Sequence, residues 1–297
     1  TSMHDLIVIG GGTAGLSAAV YACRANKKTL VIERESFGGQ ITAAPVVENY
    51  PGIGSISGAQ FASDLFDQAE AQGAQFVYEN VTAIEKGRTF KVKTDGGEYE
   101  ARAVIIAAGC EHKKLGAVGE DNLIGSGVSY CALCDGAFFK DKTVGVVGGG
   151  NAAFAAAAYL KDIARTVYLI HRRSAYRAEP TTVDKLRRTA RVRFLPNSRV
   201  TEMIGGECLK GVKLDINGLT RTLALDGLFI AIGQQPDNGA FGVALDDDGY
   251  ILADEHCRTD VKGIYAIGDC RKKTVRQLTT AAADGAIAVA TALGEMF

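Results

Sequence analysis

The sequence has no long apolar run, no excess of charge and no second cysteine pair, and each absence removes a class of function. No stretch reaches the ~18 consecutive apolar residues of a membrane-spanning helix, so no membrane partner is expected. Lys and Arg total 33 against 34 Asp and Glu, a net charge of -1. Nothing in that balance favours nucleic acid or an anionic lipid surface. The chain enters a strand-like run almost at once, without the basic segment and apolar stretch of an export signal. Seven cysteines, an odd number, without such a signal point to a reducing compartment, and a cytoplasmic protein is expected. The four histidines (His4, His112, His171, His256) form no His-x-x-x-His pair. Cys23, Cys110, Cys208, Cys257 and Cys270 each stand alone. A structural zinc site at Cys131 and Cys134 needs a second ligand pair, so no metal is expected.

At 297 residues the chain exceeds the usual size of one domain, and 47% hydrophobic residues are enough for two cores. The first core opens with a strand-like run, Asp5-Leu6-Ile7-Val8-Ile9. Gly10-Gly11-Gly12-Thr13-Ala14-Gly15 follows, and Leu16 to Ala22 reads as helix. Gly-x-Gly-x-x-Gly on Gly10, Gly12 and Gly15 permits a tight turn, close approach of a pyrophosphate and close helix–strand packing. The helix start, at Thr13 and Ala14, turns free N–H groups toward the phosphates. The next strand, Thr29 to Ile32, ends at Glu33, where a carboxylate can accept from ribose hydroxyls. Further on, the spacing predicts a helix over 58–72, a strand over 75–84, a hairpin at Asp95-Gly96-Gly97 and a buried strand ending at Gly109.

The pattern then repeats. Thr143 to Val147 reads as a strand, followed by Gly148-Gly149-Gly150-Asn151-Ala152-Ala153, with Gly-x-Gly-x-x-Ala on Gly148, Gly150 and Ala153. The second strand, Thr166 to Ile170, ends not at a carboxylate but at His171-Arg172-Arg173, with Arg177 one helical turn on. Arginines there attract a 2′-phosphate that a carboxylate would repel, so this site reads as one for NADP. Asn217-Gly218 marks a hairpin, and an apolar strand ends at Gly233. Linker-like stretches near Cys110 to Gly119 and Gln234 to Gly239 suggest that the second domain is inserted in the first. The expected fold is α/β: a dinucleotide-binding domain of residues 1–112 and 239–297, and a second of 113–238, joined by two strands of chain. Such a double linker suits rigid-body rotation. Near the end, Gly263 to Asp269 reads as a short strand closing in Gly268-Asp269, and Arg276-Gln277 opens a helix. A carboxylate at a strand's C-terminal end sits where open α/β sheets bind cofactors.

Between the two fingerprints lies Cys131-Ala132-Leu133-Cys134-Asp135-Gly136. A Cys-x-x-Cys pair flanked by nucleotide sites suggests electrons passing from one nucleotide to another and then to sulfur. Thiolate is the attacking form, so a proton must be managed, and Asp135 is the candidate general acid.

Together these residues resemble the low-molecular-weight, bacterial-type thioredoxin reductases over nearly the whole chain. The resemblance rests on the two glycine fingerprints, Gly-Gly-Gln at 38–40 and Cys-x-x-Cys-Asp-Gly at 131–136. His-Arg-Arg-x-x-x-Arg-Ala at 171–178, Gly-Asp at 268–269 and Arg-Gln at 276–277 complete it. It implies two Rossmann-like domains, FAD in the first and NADPH in the second, thioredoxin as protein substrate, and a homodimer. By position, Gly10, Gly12, Thr13, Ala14, Gly15 and Glu33 would hold the ADP half of FAD. Gln40, Asn49 and Gly109 would lie near its ribityl or ring. Gly268 and Asp269 would meet its ribityl-pyrophosphate, with Arg276 and Gln277 adding contacts. Gly148, Gly150, Asn151, Ala153, His171, Arg172, Arg173 and Arg177 would hold NADPH. The catalytic set would be Cys131, Cys134 and Asp135, with Cys134 facing the flavin and favoured as the sulfur that attacks thioredoxin. Rotation of residues 113–238 would let nicotinamide and thioredoxin take turns. The chain departs from the family at Ala155 and Ala156, where members often carry two glutamates, and at Cys110, where a small non-thiol residue is more usual. Two other readings keep the same residues: a reductase with another donor or acceptor (ferredoxin-fed, or oxidising small dithiols), and a redox-sensing binding protein without turnover.

Overall fold

The computed structural model describes residues 3–296. They form two compact units: residues up to Glu111 together with those from Gln235 onward, and His112–Gln234. The sequence reading put the borders at 112/113 and 238/239, so the return crossing lies a few residues earlier than read.

The first unit starts with β1 (His4–Ile9), α1 (Thr13–Arg24) and β2 (Thr29–Glu33), then α2 (Gly58–Ala71) and β3 (Gln75–Tyr78). Ser57 caps α2 by accepting from Gln60 N–H, which ends the preceding loop. Next come β4 (Val81–Lys86), β5 (Phe90–Thr94) and β6 (Glu98–Ile106). The run 75–84, expected as one strand, is broken at Glu79-Asn80. There Asn80 N–H donates to the Asp95 carboxylate at 2.9 Å, and Asp95 N–H donates to Asn80 O at 3.1 Å. These bonds turn the chain between β3 and β4.

The chain leaves this unit through β7 (Glu111–His112). The second unit contains α3 (Glu120–Leu123), β8 (Val128–Ser129), α4 (Ala132–Asp135), β9 (Thr143–Val147), α5 (Asn151–Leu160) and β10 (Thr166–Ile170). It continues with α6 (Pro180–Arg187), β11 (Val192–Leu195), β12 (Ser198–Gly205), β13 (Leu209–Ile216), β14 (Leu219–Ala224) and β15 (Gly227–Ile230). The return crossing is β16 (Gln234–Gln235), which pairs with β7. The first unit is then completed by β17 (Ile264–Ala266) and α7 (Leu278–Met296).

Both units are built alike, for a reason visible in their strands. Side chains alternate between the faces of a sheet. In β1, Leu6 and Val8 face α1 and α7, while Ile7 and Ile9 pack toward the β4–β5 hairpin. In the second unit Val144 and Val146 face α5 and α6, while Val147 joins the core shared with β12 and β13. The parallel strands of each sheet are therefore covered by helices on one face and by antiparallel strands on the other: the β4–β5 hairpin that continues the first sheet, and the separate β12-β13-β14 sheet in the second. Strands buried on both faces read as unbroken apolar runs. The first sheet runs β3-β2-β1-β6-β5-β4, with β17 parallel to the second half of β6. The second runs β11-β10-β9-β15-β8, all parallel, and β12-β13-β14 form a separate antiparallel sheet.

Candidate dinucleotide and dithiol sites

In the first unit the turn from β1 to α1 is set by Gly10, at φ +106°, where a Cβ would overlap the Ala107 carbonyl. Only glycine fits that backbone without strain. α1 starts without a side-chain cap and without an acidic residue in its first turn, so its N–H donors are left for an anion. At the end of β2 both Glu33 oxygens are engaged: Gly11 N–H donates to one at 2.7 Å, Glu35 N–H to the other at 2.8 Å. The carboxylate is thus held against the glycine turn, with lone pairs remaining for further donors.

A second group of expected residues gathers around the Gly268–Cys270 turn. Gly268 lies against Ala14 of α1. The Arg276 guanidinium sits 4.2 Å over the Tyr250 ring, and its Nε donates to Asp269 O at 3.4 Å. Asn49 Nδ2 donates to Gln277 Oε1 at 3.3 Å, and Gln40 Nε2 donates to the Cys110 carbonyl beside Gly109. Asp269 Oδ1 is buried and meets no hydrogen-bond partner among the described residues. Burial pushes this carboxyl up, against the pull of Lys273 and Arg276. A buried acceptor without a donor is costly. A ligand hydroxyl placed there would satisfy it, so the residues fit a dinucleotide with a polyhydroxy chain. Cys110 itself is buried and its thiol is pushed up to about 12 by burial first and Asp269 second; it stays protonated at neutral pH.

In the second unit Gly148 repeats the role of Gly10: φ is +152°, and a Cβ would overlap the Ala231 carbonyl. Gly150 faces open space, and α5 begins at Asn151 without a side-chain cap. The segment after β10 is tied back to this turn. Arg177 N–H and Ala178 N–H both donate to Gly149 O, at 2.7 and 3.2 Å, and Glu179 N–H donates to Asn151 Oδ1 at 3.1 Å. His171 is buried with its ring against Gly149, and its Nε2 lies 3.1 Å from Ala175 O. Burial lowers its proton affinity and the three nearby arginines lower it further, so it is neutral at pH 7 and supports the loop by shape. Arg172, Arg173 and Arg177 are exposed, and no carboxylate pairs with them among the described residues. Three unpaired guanidinium groups at one glycine turn fit a ligand phosphate.

The dithiol stretch leaves β8 and forms the short α4. Cys131 and Cys134 are joined by a disulfide, and Cys134 N–H donates to Cys131 Sγ at 3.1 Å. Asp135 follows directly. Burial pushes its carboxyl above the ordinary range, and a hydrogen bond from Ser129 pulls the other way.

Two glycine turns of dinucleotide type and a disulfide beside an acid describe a known constellation. A family model described as pyridine nucleotide-disulphide oxidoreductase matches residues 4–285. The chain belongs to this family. Within these oxidoreductases, a thioredoxin reductase of Listeria monocytogenes is 44% identical over 96% of this chain and 92% of its own length. One from Treponema pallidum is 45% identical over 96% and 94%. Among solved structures, thioredoxin reductase from Streptococcus pyogenes matches with a TM-score of 0.95 and 39% identity, covering 99% of this chain and 98% of its own.

For an oxidoreductase of this family, the structure adds residues that motif reading passed over. Ser129 touches Asp135, and nothing in its sequence context marked it. Asp284 accepts from Gly268 N–H at 2.9 Å and from Lys273 Nζ at 2.8 Å, so it braces the turn that carries Asp269. A single acid inside the otherwise uncharged Ala281 to Leu293 was a readable signal, since a buried charge needs partners. Among the described residues no helix is long and apolar enough to cross a membrane.

Proposed function

We propose that the chain is an NADPH-dependent reductase of the thioredoxin disulfide, with FAD held by the first unit and NADPH by the second. The observation that carries this reading is the Cys131–Cys134 disulfide with a partly buried acid next in sequence, in a unit whose glycine turn carries arginines without carboxylate partners among the described residues. When bound, NADPH and FAD supply the electron pair that opens this disulfide. Gly10, Gly12, Gly15 and Glu33 take the ADP half of FAD; Asp269, Arg276, Gln277, Gln40 and Asn49 take the rest. Arg172, Arg173 and Arg177 clamp the 2′-phosphate of NADPH on the turn made by Gly148, Gly150 and Ala153. Opening the disulfide takes two electrons and two protons and leaves a dithiol. One sulfur, as thiolate, attacks the partner's disulfide, and the second displaces it from the mixed disulfide. The partner leaves as a dithiol, and Cys131–Cys134 is restored. Asp135 stores and returns the proton that thiol and thiolate exchange.

Five of the seven cysteines are free thiols, which supports the cytoplasm as the compartment. Tyr21 on α1 and Ile287 on α7 are exposed and offer an apolar face for the homodimer that the family resemblance implies. The test is an anaerobic titration of the purified yellow protein with NADPH, then with oxidised thioredoxin. The absorbance should bleach with NADPH and return with thioredoxin. Colourless protein that FAD cannot reconstitute refutes the proposal. Bleaching without recovery leaves a sensor and no reductase.

A further inference from the structure

We infer that Ser129 is a positioning residue of the dithiol reaction, holding Asp135 in place through both of its protonation states and tying that carboxyl to the backbone of Cys131. The inference rests on the dithiol reading above. Ser129 ends β8 and is 7% exposed. Its Oγ lies 2.6 Å from Asp135 Oδ2 and 3.3 Å from Cys131 O, and it accepts from Cys131 N–H at 3.0 Å. A hydroxyl has one proton to give and two lone pairs. Facing an ionised Asp135, it gives its proton to Oδ2. Facing a protonated Asp135, it accepts from Oδ2–H and turns its own proton to Cys131 O. In either state Cys131 N–H keeps its acceptor. The proton on Asp135 can therefore come and go without any heavy atom moving. An alanine there would leave the Cys131 N–H without its partner and one face of the carboxyl without a donor.

The surroundings make this hydroxyl matter more. Asp135 belongs to α4, and α5 and the Gly136–Phe139 turn pack against it. Across residues 128–130, that turn and α5, Tyr130 and Tyr159 are the titratable side chains, and the Tyr130 hydroxyl donates to Glu120. α5 carries no charge along its whole length, Asn151-Ala-Ala-Phe-Ala-Ala-Ala-Ala-Tyr-Leu160. Among the described residues no cation or carboxylate contributes to the proton affinity of Asp135. Burial raises it, and the hydroxyl of Ser129 opposes that rise.

The test uses the full chain, reduced chemically and then re-oxidised by excess glutathione disulfide between about pH 5 and pH 9. Acid-quenched samples are read by mass spectrometry of the peptide holding Cys131 and Cys134. In this reaction the dithiol gives two electrons and two protons to glutathione disulfide, forming two glutathione thiols. The parent profile should show a step that Asp135→Asn removes. Ser129→Ala should move that step up by about one pH unit, because the ionised carboxyl loses a donor. Ser129→Thr and Ser129→Val share one shape and differ in the hydroxyl. Thr should hold the parental midpoint and Val should shift as Ala does, which keeps the test readable if Ser129→Ala folds poorly. A uniform loss of rate with an unmoved midpoint makes Ser129 a packing residue and overturns the inference, as does a Thr variant displaced as far as Val. NADPH-driven thioredoxin reduction by the parent is measured in parallel. Its failure refutes the proposed function, while the glutathione profile still judges Ser129.

Discussion

The two glycine turns are nearly the same piece of backbone with opposite charge at the rim. Gly10 and Gly148 both take positive φ, and both back onto a carbonyl of the neighbouring strand end, Ala107 or Ala231. Each launches a helix with uncapped N–H groups. The difference comes one strand later. In the first unit Glu33 is locked to the turn through Gly11 N–H. In the second, neutral His171 fills the equivalent strand end by packing on Gly149, and the arginines beside it pair with no carboxylate among the described residues. One turn therefore offers a carboxylate to hydroxyls and the other offers cations to phosphate. In the proposed function the shared backbone serves both dinucleotides, and the residues after the second strand distinguish them.

The comparison can be tested first at the dithiol that lies between the turns in sequence. Cys131→Ser and Cys134→Ser should each abolish thioredoxin reduction. Both should still let NADPH bleach the bound flavin, because neither turn uses the sulfurs. Loss of bleaching in these variants, seen by anaerobic absorbance, would show that the sites depend on the disulfide and are not independent.

Next in size is a contrast between glycines. Gly10→Ala forces a Cβ into the Ala107 carbonyl at a φ that alanine rarely adopts. It should cost more than about 4 kcal/mol or leave protein without flavin, a loss at the extreme of single substitutions. Gly150→Ala meets open space, so denaturant unfolding should change by less than about 0.5 kcal/mol. If both glycines tolerate alanine equally, the steric demand assigned to Gly10 is absent.

The charge difference itself predicts a smaller effect. Removing Arg172 and Arg173 together, each to Ala, should raise the KM for NADPH by about a hundredfold or more while changing that for NADH little. Each charge-assisted contact contributes roughly 1.5–3 kcal/mol. An equal loss for both coenzymes would assign these arginines to folding.

The smallest effect concerns the support beneath them. Tyr176 packs on His171 and Phe154 with centroids 5.3 and 5.2 Å away, yet its buried hydroxyl has no hydrogen-bond partner among the described residues. Tyr176→Phe keeps the ring and removes the orphan. It should stabilise the chain by up to about 1 kcal/mol in thermal unfolding, with NADPH affinity unchanged. A destabilisation of that size would mean the hydroxyl has a partner in solution.

What the sequence disclosed depended on how tightly backbone geometry constrains residue type. The glycine turns were legible because Gly10 and Gly148 occupy conformations that other residues avoid. Buried strands were legible as apolar runs, and Asn217-Gly218 marked its hairpin through two successive positive φ values, 53° and 84°. The break at Glu79-Asn80 was not legible, since it depends on Asp95 in the turn between β5 and β6. Ser129 was not legible either: its role comes from a carboxyl brought back by the fold of α4, and serine at a strand end carries no signal of its own. Spacing set His171 at the end of the second strand, but its burial, and hence its neutral supporting part, follows from Gly149 and Ala175 closing over the ring. Ala155 and Ala156 are plain in both views; they leave α5 without charge.

The insertion of one unit within the other also sets an order of events during synthesis. All residues of the second unit are contiguous, and both of its ends lie in one small pairing, with Lys113 N–H donating to Gly233 O at 3.1 Å. The first unit cannot close until β17 has joined β6 and α7 has packed on α1. At about 5–20 residues per second on the ribosome, the inserted unit can finish several seconds before its host. Throughout that interval the apolar faces of Leu16, Ala18 and Val8 lack their helical cover. The nascent first unit therefore stays open longest, and the final stretch from Gln235 onward decides when it closes.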